Sequence, residues 1–209
     1  MIKVIATVCG TIIREPMVTT NEKGVSNLEF GIKTLLPSRS KDNLSVEITV
    51  AIPNGKPEDI KDYNKGNRIV MKGNLVIKKD GDNITFRLAD AEPELAYGVP
   101  SEDSISGELN FIGKVKEVSE KTDKRGMPYF IMSASASQKV GKDKWERIWF
   151  HFKRFPRKKE GLEDIKPDWL KDGIIVETLG DFEISSFNNR LNFTSRISEI
   201  CQKESGAEQ

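Results

Sequence analysis

The chain has 209 residues, of which 37% are apolar and 31% charged, and its formal net charge is +1. That length suits two domains of about 100 residues each. No apolar run approaches the roughly 18 residues needed to cross a bilayer as a helix. Met1-Ile2-Lys3-Val4-Ile5-Ala6 begins strand-like alternation where a signal peptide would carry an apolar block. A cytoplasmic protein without membrane contact is the expectation. Cys9 and Cys201 lie near the two ends without metal-ligand spacing, so neither a disulfide framework nor a cysteine-held metal is expected.

Strand signals dominate. In chain order, residues 2–13, 28–36, 44–52, 69–77 and 84–89 are five β-rich runs. Alternation is clearest in the third: Leu44, Val46, Ile48, Val50 and Ile52 face one way, Ser45, Glu47, Thr49 and Ala51 the other. Residues 56–65 open with Pro57, Glu58 and Asp59 and stop at Gly66, the pattern of one short helix. Asp80-Gly81-Asp82-Asn83 predicts a hairpin turn, and residues 99–107 have linker composition. Five further runs follow: 108–118, 129–136, 145–152, 174–184 and 191–197. A helix is expected over 164–171 and a hairpin turn at Asn188-Asn189, and the polar residues 202–209 read as a flexible tail.

The second set of elements repeats the first. Gly24, Gly66 and Gly73 recur as Gly126, Gly173 and Gly180, at offsets of 102, 107 and 107. Similarity at this period means duplicated domains, 1–98 and 108–201, because the units of a solenoid are several times shorter. Three strands, a helix and a final two-stranded hairpin is the element order of an OB-fold, a five-stranded barrel with a face for nucleic acid or oligosaccharide. The expected fold class is therefore all-β with one short helix per domain: two tandem OB-fold barrels. Gly10 and Gly113 in the first strands, and Gly73 and Gly180 in the fourth, fall where a small barrel bends sharply. An SH3-like barrel, the main competitor, lacks the helix before strand four.

The near-zero net charge conceals segregation. Residues 111–160 hold 14 Lys/Arg against 6 Asp/Glu, a local excess of +8, which is the footprint of phosphate binding or of a solvated basic surface. Within this region, strand period places Ile148, Phe150 and Phe152 on a core face and Trp145, Arg147, Trp149, His151 and Lys153 on the other. Indoles interleaved with cations can stack bases and neutralise phosphates; the plainer alternative is a tryptophan packed under a loop. Residues 24–50 map onto 126–152 without a gap, so the second copy carries five extra residues after Phe152. There Lys153, Arg154, Arg157, Lys158 and Lys159 form a basic track, or simply a solvated loop. Arg125, Tyr129 and Lys144 complete the candidate nucleic-acid-binding set.

Gly113, then Lys124-Arg125-Gly126-Met127-Pro128-Tyr129-Phe130, then Trp145-Glu146-Arg147-Ile148, then Gly173 to Gly180, resembles the bacterial and phage single-stranded DNA-binding protein (SSB) family. The resemblance covers most of residues 108–200 and, more faintly, residues 1–95; only the Trp-x-Arg element is distinctive. It implies that Trp145 is the stacking tryptophan and Arg147 its phosphate-binding neighbour. It places His151 where the family often has another aromatic, and makes Trp149 an additional aromatic on the same face. The chain departs from the family in two respects. Where family members usually end in a long tail with an acidic, hydrophobic tip that recruits replication enzymes, this sequence ends in Gln202-Lys203-Glu204-Ser205-Gly206-Ala207-Glu208-Gln209, so recruitment through such a tail is not expected. It also carries two units where most members carry one.

The first copy reads differently. Trp145, Arg147, Trp149 and His151 correspond to Asn43, Ser45, Glu47 and Thr49, so its exposed third strand has lost the aromatics and gained an acid. Arg14, Lys33, Arg39, Lys41, Lys72 and Arg87 remain as cations without a pattern that makes them converge. Phe30, Phe86 and Tyr63 fall at core-like positions.

Enzyme chemistry is not expected. His151 is the only histidine, and no glycine-rich lysine motif that would cradle phosphates occurs. No catalytic residue, metal or cofactor is assigned. The expected function is single-stranded DNA binding with little sequence preference in replication, recombination or repair, nucleoid-associated or in the host cytoplasm of a phage. Replication or recombination proteins are expected as partners, and β-pairing of edge strands into a homodimer is an expectation of the architecture. An OB-fold scaffold for protein partners and an RNA-binding OB-fold stay open.

Overall fold

In the computed structural model, residues 1–20, 24–38, 44–94, 98–157 and 160–204 are described. They form strands β1 (Ile2–Thr20), β2 (Ser26–Leu35), β3 (Ser45–Pro53), β4 (Arg68–Asp80), β5 (Asn83–Pro93), β6 (Ser104–Thr122), β7 (Pro128–Lys139), β8 (Trp145–Arg154), β9 (Ile175–Phe187) and β10 (Arg190–Gln202). The chain divides into two compact units. One comprises Val4–Gly107 and Ile184–Leu191, the other Met1–Lys3, Glu108–Glu183 and Asn192–Gln209. They are called below the amino-terminal and carboxyl-terminal units.

In the amino-terminal unit the strands run β1-β2-β3-β5-β4 and return to β1, closing a barrel. One strand serves both ends of the ring: residues 5–11 of β1 pair with β4, and residues 11–20 pair with β2. Irregularities between Ile12 and Arg14, and between Arg14 and Met17, let it bend round. That bend is why β1 continues to Thr20, past the predicted end near residue 13. The carboxyl-terminal unit has the same cyclic order, β6-β7-β8-β10-β9 and back to β6, with an irregularity between Val115 and Glu117. Each unit is an OB-fold barrel.

The duplication extends to registers. His151 pairs with Ser133 on β7 and Thr194 on β10, and its counterpart Thr49 pairs with Gly31 and Arg87. The strand glycines repeat their contacts as well. A Cβ on Gly10 would lie 2.4 Å from the Lys33 carbonyl oxygen, and one on Gly113 2.5 Å from that of Ser135. The same holds at Gly73 against Ala89 (2.8 Å) and at Gly180 against Arg196 (2.3 Å). These carbonyl oxygens are backbone, and at Gly113 the Phe111 ring crowds the site as well at 2.4 Å, so a methyl group at Gly180 can enter only by spreading two paired strands. Gly180→Ala is expected to destabilise the carboxyl-terminal barrel by about 1–3 kcal/mol, read as a lower urea midpoint; an unchanged midpoint would show that the strands part freely.

Inward-facing residues follow the alternation. Val46, Ile48 and Val50 are buried on β3, and Ile148, Phe150 and Phe152 are at most 1% exposed on β8. Phe150 lies within a ring cluster, 5.3 Å from Phe111, 5.4 Å from Phe193, 6.1 Å from Phe152 and 6.4 Å from Phe182 between centroids. Phe30 and Phe86 are buried, and half-buried Tyr63 stacks on Phe30 at 4.9 Å.

A short helix precedes the fourth strand of each unit as expected, but three bounds differ. The helix predicted over 56–65 is a 3-10 segment, Pro57–Asp62, with no buried residue. The Asp59 carboxylate accepts from the Lys56 N–H at 2.8 Å, but with no apolar face to bury, the costly α nucleus is not stabilised. The helix predicted over 164–171 is a single α turn, Leu162–Ile165. Pro167 lacks an N–H and disfavours α geometry in the residue before it, which ends the helix there. Finally, residues 104–107, assigned to a linker by composition, already belong to β6. Just before them, the Asp103 carboxylate accepts from the Arg68 guanidinium at 2.6 Å and from the Leu35 N–H at 2.7 Å. The hairpin at Asn188-Asn189 is as expected, both residues having positive φ (51° and 58°) as a type I′ turn requires.

Candidate nucleic-acid interface

Strand β8 positions the predicted residues. Because Ile148, Phe150 and Phe152 turn into the barrel, the odd-numbered side chains must turn out. Trp145 is 58% and Trp149 41% exposed. Arg147 and His151 are exposed and Lys153 is half-buried. Both indoles therefore reach solvent.

The neighbouring strands determine how accessible this row is. On β7, Ser137 pairs with Arg147, Ser135 with Trp149 and Ser133 with His151. Serines are too short to cover an indole, and Ser135, opposite Trp149, is itself buried while Trp149 is not. At the ends of the row, Lys139 pairs with Trp145 and Ile131 with Lys153. On β10, Thr194 pairs with His151 and Arg196 with Lys153. Large aromatic surfaces stand beside small polar residues, with cations interspersed. Such a surface can hold flat, apolar, uncharged rings on a polyanionic backbone.

The remaining predicted residues are more dispersed. Tyr129, half-buried at the start of β7, stacks on Phe155 with centroids 4.6 Å apart and planes 20° apart. The Arg196 guanidinium lies 5.4 Å from the Phe155 centroid. Sequence reasoning passed over Phe155 and Arg196; the available signal was that Phe155 continues the odd-numbered row of β8. Arg154 does not join that row, since it has the parity of Phe152. Burial pulls its guanidinium below its ordinary pKa and Arg157 adds to the effect, while Glu160 and Glu199 oppose it. Arg125 is exposed in the β6–β7 turn, where its N–H donates to the Asp123 carboxylate at 2.8 Å. Lys144 sits in the β7–β8 turn, 3.8 Å from the Glu146 carboxylate. Arg157 is exposed beyond β8. Lys158 and Lys159 lie outside the described residues, as do Arg39, Lys41, Asn43 and most of the predicted tail.

An open groove lined by Lys114, Gly173, Ile175 and Lys203 contains none of the predicted residues. Among the described residues no group of three or more His, Cys, Asp and Glu side chains is arranged to hold a metal ion.

The matching face of the amino-terminal unit is occupied by its own charges. Arg14 donates to Thr49 at 2.9 Å and pairs with Glu47 at 3.2 Å. Arg87 pairs with Glu29 at 2.5 Å. Lys33 stands opposite Glu47 across the β2–β3 ladder. Cations are present, but the strand-three position that carries Trp149 in one copy carries Glu47, the carboxylate partner of Arg14, in the other.

No protein-family model matches the chain, and no curated protein sequence does. Similar solved structures include the single-stranded DNA binding protein from Thermus aquaticus, with 13% identity, 99% of this chain and 95% of that chain covered, and a TM-score of 0.48. The mitochondrial single-stranded DNA binding protein Rim1 from S. cerevisiae is 14% identical, over 47% of this chain and 95% of that one, with a TM-score of 0.36. PriB from Ralstonia solanacearum is 12% identical, over 46% of this chain and 97% of that one, with a TM-score of 0.33.

Proposed function

We propose that the chain binds single-stranded DNA with little sequence preference, protecting or organising it during replication, recombination or repair. Binding centres on the domain spanning residues 108–201. The observation that carries this reading is the outward row of β8, in which Trp145, Arg147, Trp149, His151 and Lys153 stand beside a line of serines. Stacking on an aromatic side chain contributes about 1–3 kcal/mol per base and accepts every base. Affinity without sequence preference follows, because no side chain of the row is required to read a base edge. Phosphate contacts from Arg147, Lys153 and Arg157 supply the remainder. The reading includes replication or recombination proteins as partners and a homodimer as the binding form, the latter testable by sedimentation.

All three tryptophans, Trp145, Trp149 and Trp169, belong to the carboxyl-terminal unit, so their fluorescence reports on it alone. Titration with oligo-dT is expected to quench that fluorescence, and log K to fall by about 0.7 per phosphate contact for each tenfold rise in salt. An unquenched spectrum at low salt, from folded protein, would overturn the reading. Competition with oligo-rU reads any preference between DNA and RNA, since only RNA presents the 2′-hydroxyl.

A further inference from the structure

The single-stranded DNA reading accounts for the outward row of β8 from Trp145 to Lys153, and a second aromatic step stands just beyond its Lys153 end. We propose that Tyr129, Phe155 and Arg196 form an additional subsite, at which a base stacks on the paired rings and Arg196 takes an adjoining phosphate. This inference rests on the DNA-binding reading and extends the path of the strand beyond the tryptophans.

Four observations converge. Phe155 continues the odd-numbered row of β8, and the pairing of Phe130 with Arg154 brings Tyr129 alongside Phe155 on the same face. The two rings are near-parallel, with centroids 4.6 Å apart. Both are half-buried, so they hold each other in place while keeping outer surface exposed. The step is also flanked by cations on both sides. Arg196 lies over Phe155 and is registered beside Lys153, while Lys121 is the β6 partner of Tyr129.

A pair that served only to fill the barrel would lie with the buried ring cluster of Phe111, Phe150, Phe152, Phe182 and Phe193. Tyr129 and Phe155 lie on the opposite side of β7 and β8 from that cluster. Trp145 and Phe155 are ten positions apart, about 33 Å at 3.3 Å per residue. A strand following the row would therefore meet Trp145, Trp149, His151 and then the Tyr129–Phe155 step, which suits the roughly 4–16 nucleotides that one OB-fold accommodates. Sequence tolerance is retained, because the step again presents ring faces and a guanidinium. Guanidinium planes are themselves surfaces on which bases stack.

The test compares labelled oligo-dT of about 4 and about 16 nucleotides, lengths that bracket one OB-fold site, by fluorescence polarisation. Phe155→Ala and Phe155→Leu are both expected to weaken the long oligomer by roughly 5- to 100-fold. The short oligomer, held by the tryptophans, should change by less than about twofold. Arg196→Ala should lower the salt slope for the long oligomer by about 0.7, and Arg196→Lys should restore it. Leucine keeps the apolar bulk without the ring face, so wild-type affinity in Phe155→Leu would reduce the pair to packing and overturn the subsite. Equal losses for both lengths would do the same, by showing damage to the whole barrel. If the wild-type protein binds neither oligomer, the DNA reading and this inference fall together. If it binds both and Phe155→Leu matches it, the subsite alone falls.

Discussion

Removing both indoles, Trp145→Ala with Trp149→Ala, is expected to abolish most of the affinity for single-stranded DNA while leaving the barrel intact. Each ring contributes about 1–3 kcal/mol through stacking. The two sit four positions apart on β8, about 13 Å, beyond the range at which substitutions usually couple. Their losses should therefore add, to about 2–6 kcal/mol in the double variant. Because the side chains are 58% and 41% exposed, stability should change by no more than about 0.5 kcal/mol. Labelled oligo-dT reads the first quantity and the urea midpoint, followed through Trp169, the second. Wild-type affinity in the double variant would remove the observation on which the functional proposal stands.

The opposite substitution on the same strand should show the opposite behaviour. Phe150→Ala removes a fully buried ring that touches four others. The lost transfer energy and the cavity left behind cost about 3–5 kcal/mol, a large share of the roughly 5–15 kcal/mol that holds a typical domain together. The carboxyl-terminal unit should then unfold at much lower urea, and its DNA binding should weaken only through the fraction unfolded. Adding oligo-dT in excess should raise the midpoint again, because a ligand bound only by the native state stabilises it by mass action. Phe150→Leu, which keeps part of the apolar bulk, should cost less than Phe150→Ala. An unchanged midpoint in Phe150→Ala would mean that the ring cluster is not the core of this unit.

Much of the fold was legible because its signals are local and periodic. The alternation around Phe150 identified both faces of β8, and glycines at matching offsets revealed the duplication before any contact was known. The short helices were foreseen but their bounds were not, because capping signals at Glu58, Asp59 and Asp164 are local, whereas helix length depends on an apolar face and on Pro167. Residues 99–107 read as a linker because composition cannot show that Asp103 is held by Arg68. The tryptophan row was readable from a single strand. The Tyr129–Phe155–Arg196 step was not, since its members come from β7, the residue just after β8 and β10, and only pairing brings them together. The neutralised face of the amino-terminal unit was half-visible: Glu47 was evident in sequence, but its pairing with Arg14 required the register.

The shared registers and matching glycine contacts give the two barrels a common scaffold, and on that scaffold the inward and outward positions of the third strand vary independently. Ile48, Val50 and their counterparts Phe150 and Phe152 hold the strand in place, whatever the residues between them present to solvent. Gene duplication in such an architecture separates stability from recognition: one copy can exchange rings for ion pairs, or regain them, without a new core. The amino-terminal barrel is in this sense a blank of the same casting, on which outward substitutions at positions 45, 47 and 49 could inscribe a second binding strip.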